Sequence, residues 1–176
     1  PPQVGGLPLE SDAEILKYFE TYWVSPGRLM AGEYPGSVDG EDGRPKLRRL
    51  LQDGVSVLLD LTEAGELEPY MDTLAKEAQR VDSASEYLRR PVQDWGTPSA
   101  ELMSTILDDI DAAVEVDKLV YVHCMAGLGR TGVVVGCYLV RHGMSGAEAL
   151  DEIPRLKHGI SGGAMTSPYT EAQRQM

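Results

Sequence analysis

Cysteine is scarce in this sequence: 176 residues contain two, Cys124 and Cys137. They stand thirteen positions apart with no metal-type partners nearby, so no disulfide framework is expected and a reducing cytoplasm is the expected compartment. The three histidines (His123, His142, His158) form no CxxC or HxxxH spacing, so no zinc site is expected. Long apolar runs are missing too. The longest, Val133–Val140, is interrupted by Gly136 and ended by Arg141, far short of the roughly 20 residues that cross a bilayer. Positive charge is in deficit, with 16 Lys and Arg against 28 Asp and Glu and a net charge of −12. Such a chain has no electrostatic reason to seek nucleic acid or an anionic membrane, and neither is expected as a partner. No basic segment followed by an apolar stretch opens the sequence, so no signal peptide is read in it. Internal repeats and low-complexity tracts are absent.

What is present suits one globular domain. The length allows one full hydrophobic core, and 42% hydrophobic with 25% charged residues is an ordinary soluble composition. Residues 1–10, rich in Pro and Gly through Pro8, read as an N-terminal arm, and residues 11–176 as the domain; a monomer is the default. Glu14–Phe19 suggests a short helix. Ser25-Pro26-Gly27 reads as a hairpin turn between Tyr22–Val24 and Arg28–Ala31. Lys46–Gln52 is helical and ended by Gly54. Val55–Leu59 is an apolar run suited to a strand buried on both faces. Glu66–Val81 predicts a helix with Leu67, Tyr70, Met71, Leu74 and Ala78 on one stripe, and Glu86–Val92 a strand. Thr97 and Pro98 are placed to start a helix whose buried face is Leu102, Ile106, Ile110 and Val114. Lys118–His123 is a strand and Arg130–His142 the helix after it. Ser145 to Glu148 is a capping box, Lys157–Gly163 a Gly-rich loop, and Ser167-Pro168 the start of a last helix. Strands alternating with helices predict a single α/β domain with a central, mostly parallel sheet flanked by helices.

The chemistry concentrates in His123-Cys124-Met125-Ala126-Gly127-Leu128-Gly129-Arg130-Thr131-Gly132, a strand end, a Gly-containing loop and a helix start. Five residues between Cys and Arg are weak evidence alone, since chance supplies that spacing in about one such chain in eight. Context lifts it. Successive N–H groups from Met125 to Arg130 can curl around one tetrahedral anion, and the helix start adds its positive end. Gly127 and Gly129 allow φ > 0 or close approach to a ligand. The same field favours the thiolate of Cys124, the nucleophilic form. Arg130 can clamp two phosphate oxygens with its planar fork, and the Thr131 hydroxyl is placed to steady a departing thiolate. A proton donor is also needed. Asp94, thirty residues before Cys124, lies between a predicted strand and helix beside Trp95, where it can serve as general acid and then base.

In these residues the sequence resembles the protein tyrosine phosphatase superfamily, specifically its small dual-specificity branch. The signature His-Cys-x-x-Gly-x-x-Arg-Ser/Thr-Gly is matched in full at His123–Gly132, and Asp94 falls where that family carries its general acid. The resemblance runs in element order from about Trp23 to Gln173. It implies a cysteinyl-phosphate intermediate on Cys124, Asp94 protonating the leaving group and then activating water, and no metal or other cofactor. Acid before nucleophile argues against low-molecular-weight phosphatases, whose cysteine lies near the N-terminus. Gln173, in a segment resembling bacterial and cell-cycle members, is a candidate to position water, and His123 to support the loop. Lipid-directed members place lysines in the loop where Met125 and Leu128 stand here. A phosphorylated protein or peptide, carrying phosphotyrosine and secondarily phosphoserine or phosphothreonine, is therefore expected over a phosphoinositide.

Other readings compete. Gly127 to Gly132 also matches the dinucleotide pattern GxGxxG, but no strand ending in an acid follows at the required distance and the match leaves Cys124 and Arg130 without use. A non-catalytic phosphoprotein-binding module of the same fold would not need Asp94. A rhodanese-like transferase would not either, and arsenate reductases need further cysteines. Asp60, at another strand end, is the alternative acid. Cys137 reads as core.

Overall fold

A computed structural model describes residues 9–160 and 165–176. Residues 1–8 of the arm expected at 1–10 and positions 161–164 of the Gly-rich loop lie outside the described residues, and positions 9 and 10 open a helix instead of ending the arm. Among the described residues seven helices surround five strands: α1 Leu9–Tyr18, β1 Thr21–Ser25, β2 Leu29–Gly32, α2 Arg44–Gln52, β3 Val55–Asp60, α3 Met71–Arg80, β4 Glu86–Arg89, α4 Ala100–Glu115, β5 Leu119–His123, α5 Arg130–Arg141, α6 Gly146–Leu156 and α7 Glu171–Gln175. The strands form one sheet in the order β1-β2-β5-β3-β4, with β1 antiparallel and the rest parallel. The expected α/β architecture is therefore the observed one.

Side-chain alternation along the strands divides the core in two. Leu29, Ala31, Val57, Leu59, Val120 and Val122 meet the apolar faces of α4, α5 and α6 on one side. Met30, Val55, Leu58, Leu119 and Tyr121 meet α2 and α3 on the other. β5 is buried at every position, as the central strand of a parallel sheet must be.

Element boundaries moved where local chemistry competes. The helix expected from Glu66 begins at Met71, because Pro69 lacks an N–H and biases Glu68 away from helical geometry. Tyr70, Leu74 and Ala78 are buried as the stripe required, whereas Met71 is half exposed. α4 starts at Ala100 rather than at Pro98: the Ser99 side chain accepts the Leu102 N–H and caps it. Ile106 and Ile110 are buried as expected and are joined by Met103 and Leu107, while Leu102 and Val114 are partly buried against the same core. The last helix starts after Thr170, whose side chain caps Gln173, not at Ser167-Pro168. The capping box of Ser145 and Glu148 is present.

One row of the sheet positions the site. Gly32 pairs with His123, His123 with Asp60, and Asp60 with Arg89, so β2, β5, β3 and β4 end together. Asp60 ties that edge: its carboxylate accepts from Thr62 N (2.8 Å), Thr62 Oγ1 (2.7 Å) and Tyr87 Oη (2.7 Å), with Arg89 at 3.4 Å. Burial alone would raise the Asp60 carboxyl, but His123 and the Thr62 and Tyr87 bonds outweigh it and leave it below the usual carboxylate range. His123 is itself fully buried, and burial pushes it below its ordinary value. Asp60→Ala orphans these donors and is expected to cost about 3 kcal/mol in urea unfolding. Because its folded value is depressed, the stability Asp60 supplies is complete above the unfolded carboxyl's titration, about pH 4, and is lost as pH falls through the folded value. The gap between wild type and variant should hold steady from about pH 7 to 5 and shrink below about pH 4.

Candidate active site

Three loops leave that common edge. The loop after β5 carries Cys124 and runs to α5, the loop after β3 carries Glu66, and the loop after β4 carries Asp94. Their convergence at the carboxyl ends of parallel strands is the usual place for a site in such a sheet.

No acceptor among the described residues takes an N–H from Met125 to Arg130. The loop's carbonyls are the part tied to the protein. Tyr34 N donates to Met125 O (2.9 Å), Ser167 Oγ donates to Leu128 O (2.7 Å), and His123 Nδ1 donates to Cys124 O (3.2 Å). A carbonyl only accepts, so the His123 proton sits on Nδ1 and Nε2 accepts from Tyr70 Oη (2.7 Å). Gly127 has φ 70°, and a Cβ there would meet Gly32 C at 2.5 Å. Gly129 has an ordinary φ of −78°. Its missing side chain instead makes room for Gln173, whose Nε2 would lie 3.0 Å from a Cβ.

Arg130 is 2% exposed and aimed by a residue the sequence reading had placed in a helix. Glu66 takes Nη1 (2.8 Å) and Nη2 (2.6 Å) as a bidentate pair, and Val92 O takes Nη1 again (3.1 Å). Arginine has five N–H donors. Both on Nη1 and one on Nη2 are used, which leaves Nε and the second Nη2 proton as a fork for two anionic oxygens. Asp94 Oδ1 lies 3.1 Å from Nη2. Arg130's hydrogen bond holds the Glu66 carboxyl below its ordinary range despite partial burial.

Asp94 sits on an exposed turn where its Oδ1 accepts the Trp95 N–H (3.0 Å). Trp95 adopts φ 63°, a conformation costing a side-chain-bearing residue about 1–2 kcal/mol, and packs edge-on against Tyr169 at 5.0 Å. Gln173 Nε2 donates to Gly96 O (3.0 Å), and its Oε1 accepts from Tyr169 N (3.1 Å) and Thr170 N (3.0 Å). Gln173 thereby holds the Asp94 turn, α7 and Gly129 together.

Cys124, Met125, Ala126, Leu128, Gly129, Arg130, Asp94 and Gln173 line one pocket of about 250 Å³, with Trp95, Tyr169 and Met165 at its mouth. Gly127 and His123 shape the loop without lining the pocket. Thr131 is fully buried behind it, its Oγ1 without a hydrogen-bond partner among the described residues. Asp60 is buried in its own network and does not line the pocket. A larger groove, about 560 Å³, runs between α4, α5, α6 and α7 beside Cys137 and contains neither Cys124 nor Arg130. Burial raises the half-buried Cys137 thiol, as suits a core cysteine.

Residues 35–144 match the family described as the polymorphic toxin system DSP-PTPase phosphatase. The chain belongs to that family. It is a member of the protein tyrosine phosphatase superfamily in its dual-specificity branch. Among curated relatives, the Arabidopsis thaliana phosphatidylglycerophosphate phosphatase PTPMT2 is 31% identical over 124 residues, covering 69% of this chain and 50% of that protein. PTEN1 of the same plant, a phosphatidylinositol 3,4,5-trisphosphate 3-phosphatase and protein-tyrosine-phosphatase, is 40% identical over 65 residues, 36% of this chain and 16% of that protein. Mouse CDC14B, a dual specificity protein phosphatase, is 41% identical over 58 residues, 32% of this chain and 11% of that protein. The chain thus spans no more than half the length of these relatives. The solved structure of Tk-PTP in its active form matches with a TM-score of 0.70 at 27% identity, over 89% of this chain and 92% of that one.

The geometry gives Glu66 a role that can be measured. Glu66→Ala removes the carboxylate that aims Arg130, and inhibition by inorganic phosphate should weaken about 10-fold, ~1.4 kcal/mol. An unchanged inhibition constant in the folded variant would contradict the aiming role.

Proposed function

We propose that this chain hydrolyses phosphate monoesters on proteins or peptides, phosphotyrosine first and phosphoserine or phosphothreonine second, through a cysteinyl-phosphate on Cys124. The observation that carries the reading is the pocket itself: a nucleophile candidate, unpaired amides, the open side of Arg130 and a carboxyl group all face one cavity. In the first step Cys124 Sγ bonds to phosphorus, the bond to the leaving oxygen breaks, and Asp94 gives that oxygen its proton. In the second, Asp94 takes a proton from water, the water oxygen bonds to phosphorus, and the P–S electron pair returns to sulfur. Arg130 and the loop amides hold the equatorial oxygens in both steps. The unpartnered Thr131 hydroxyl supports stabilisation of the departing thiolate. Gln173 retains one N–H beyond its bond to Gly96, which suits placing the water.

Substrate class rests on charge and shape. Arg130 is the one cation among the pocket-lining residues, and the chain carries −12 overall, a poor match to a polyphosphorylated inositol. Trp95 and Tyr169, packed edge-on against each other, give the pocket one aromatic side, suited to a phenyl phosphate. A binding module without turnover would leave Asp94 unused. We extend to this chain the setting of its family, a polymorphic toxin system, and, because the thiolate must stay reduced, a cytoplasmic site of action. No helix among the described residues is long and apolar enough to cross a membrane.

With p-nitrophenyl phosphate and tyrosine-phosphorylated peptides, turnover should persist in chelator and fall at least about 10³-fold in Cys124→Ser. Robust turnover by that variant sinks the mechanism, and preference for phosphoinositide over peptide sinks the substrate class. Asp94→Ala should slow alkyl phosphates about 10²-fold and aryl phosphates with good leaving groups much less. Equal slowing would mean another group supplies the proton.

A further inference from the structure

Lys157 directly follows α6 and carries its ammonium into the core. It is 2% exposed, and Nζ has no hydrogen-bond partner among the described residues. It stands over the Tyr22 ring, 5.9 Å from the centroid, and the Tyr22 hydroxyl is likewise buried and unpartnered. The sheet register places this pair. Tyr22 pairs with Ala31 and Ala31 with Val122. Side chains two apart share a face, so Tyr22 and Val122 lie on the side of the sheet where Cys124 continues past the end of β5. The three belong to one core cluster.

A buried ammonium is among the most expensive groups in a protein interior unless an anion faces it. Burial pulls Lys157 below its ordinary value, and the two groups acting against that pull are Glu20, just before β1, and Cys124. The remaining titratable groups around Cys124 do not supply charge from this side. Burial raises Tyr22 and Tyr121 far enough to keep both hydroxyls neutral, and it keeps His123 uncharged. Arg130 and Asp94 approach from the pocket.

We propose that Lys157 is a positioning residue for the nucleophile, a buried cation behind the phosphate loop that favours the thiolate of Cys124. The face of Tyr22 holds that cation in place. This rests on the reading of Cys124 as nucleophile. The charge acts twice in a turnover: it favours the resting thiolate, and it favours return of the electron pair to sulfur when water displaces the P–S bond.

Iodoacetamide alkylation, followed at the Cys124 peptide, reads thiolate content whether or not the protein turns over phosphate esters. A failed hydrolysis assay and a failed alkylation prediction are therefore distinct results. In folded Lys157→Met, Cys124 should alkylate about 3-fold more slowly or worse at about pH 6 and at the wild-type rate at about pH 9.5, above the ordinary range of a thiol. Equal rates at both pH values, or uniform slowing at both, overturn the proposal. Should Lys157→Met fail to fold, the linkage is read from the other partner. NMR titration of the Lys157 ammonium should show a lower midpoint in Cys124→Ala than in wild type, and identical midpoints overturn the proposal.

Discussion

The structure turns on a run of backbone amides, from Met125 to Arg130, that have no acceptor among the described residues. Buried or half-buried donors in that state are costly, and a loop free to choose would rotate them onto nearby carbonyls. It is prevented from doing so from outside. Cys124 O, Met125 O and Leu128 O are each claimed by a donor from a different element: His123 at the end of β5, Tyr34 after β2, and Ser167 before α7. With the carbonyls pinned outward, the N–H groups have one direction left. What the loop turns toward the pocket is its run of N–H groups.

That pinning is possible because the strands end in register. Gly32, His123, Asp60 and Arg89 share one row, and the segments leaving β2, β5, β3 and β4 emerge side by side. Gly127 rests on the Gly32 backbone, which a side chain at Gly127 would prevent. The Tyr70–His123–Cys124 chain of hydrogen bonds then joins the loop to the α3 side of the sheet. The Asp60 network holds the row from beneath, so a carboxylate remote from the pocket fixes where the pocket forms.

The Cys124-to-Gly132 segment was legible in the sequence because one short stretch carries its own strand end, glycines and helix start. Asp94 was legible for a related reason, as an acid on a strand-to-helix loop. Glu66 was not. Its role depends on β3 lying beside β5, a pairing between segments about sixty residues apart, and its neighbours Leu67 and Tyr70 sit at helical spacing. Pro69 was the local signal that the helix starts later. Gly129 was legible as a glycine but not in its reason: the sequence suggested backbone freedom, and the structure shows a place cleared for Gln173. Local chemistry can be read along the chain, whereas contacts that depend on which strands are neighbours cannot.

Charge and geometry at the pocket bear on the proposed acid together. Asp94 Oδ1 lies 3.1 Å from Arg130 Nη2, while Glu66 holds Nη1 and Nη2 as a bidentate pair. In the proposed reaction a phosphate oxygen arriving at Arg130 competes with Asp94 for the guanidinium and not with Glu66, whose two bonds fix the fork. The carboxyl group parted from its cation is the one that reaction needs at the leaving oxygen, and it is carried on an exposed turn.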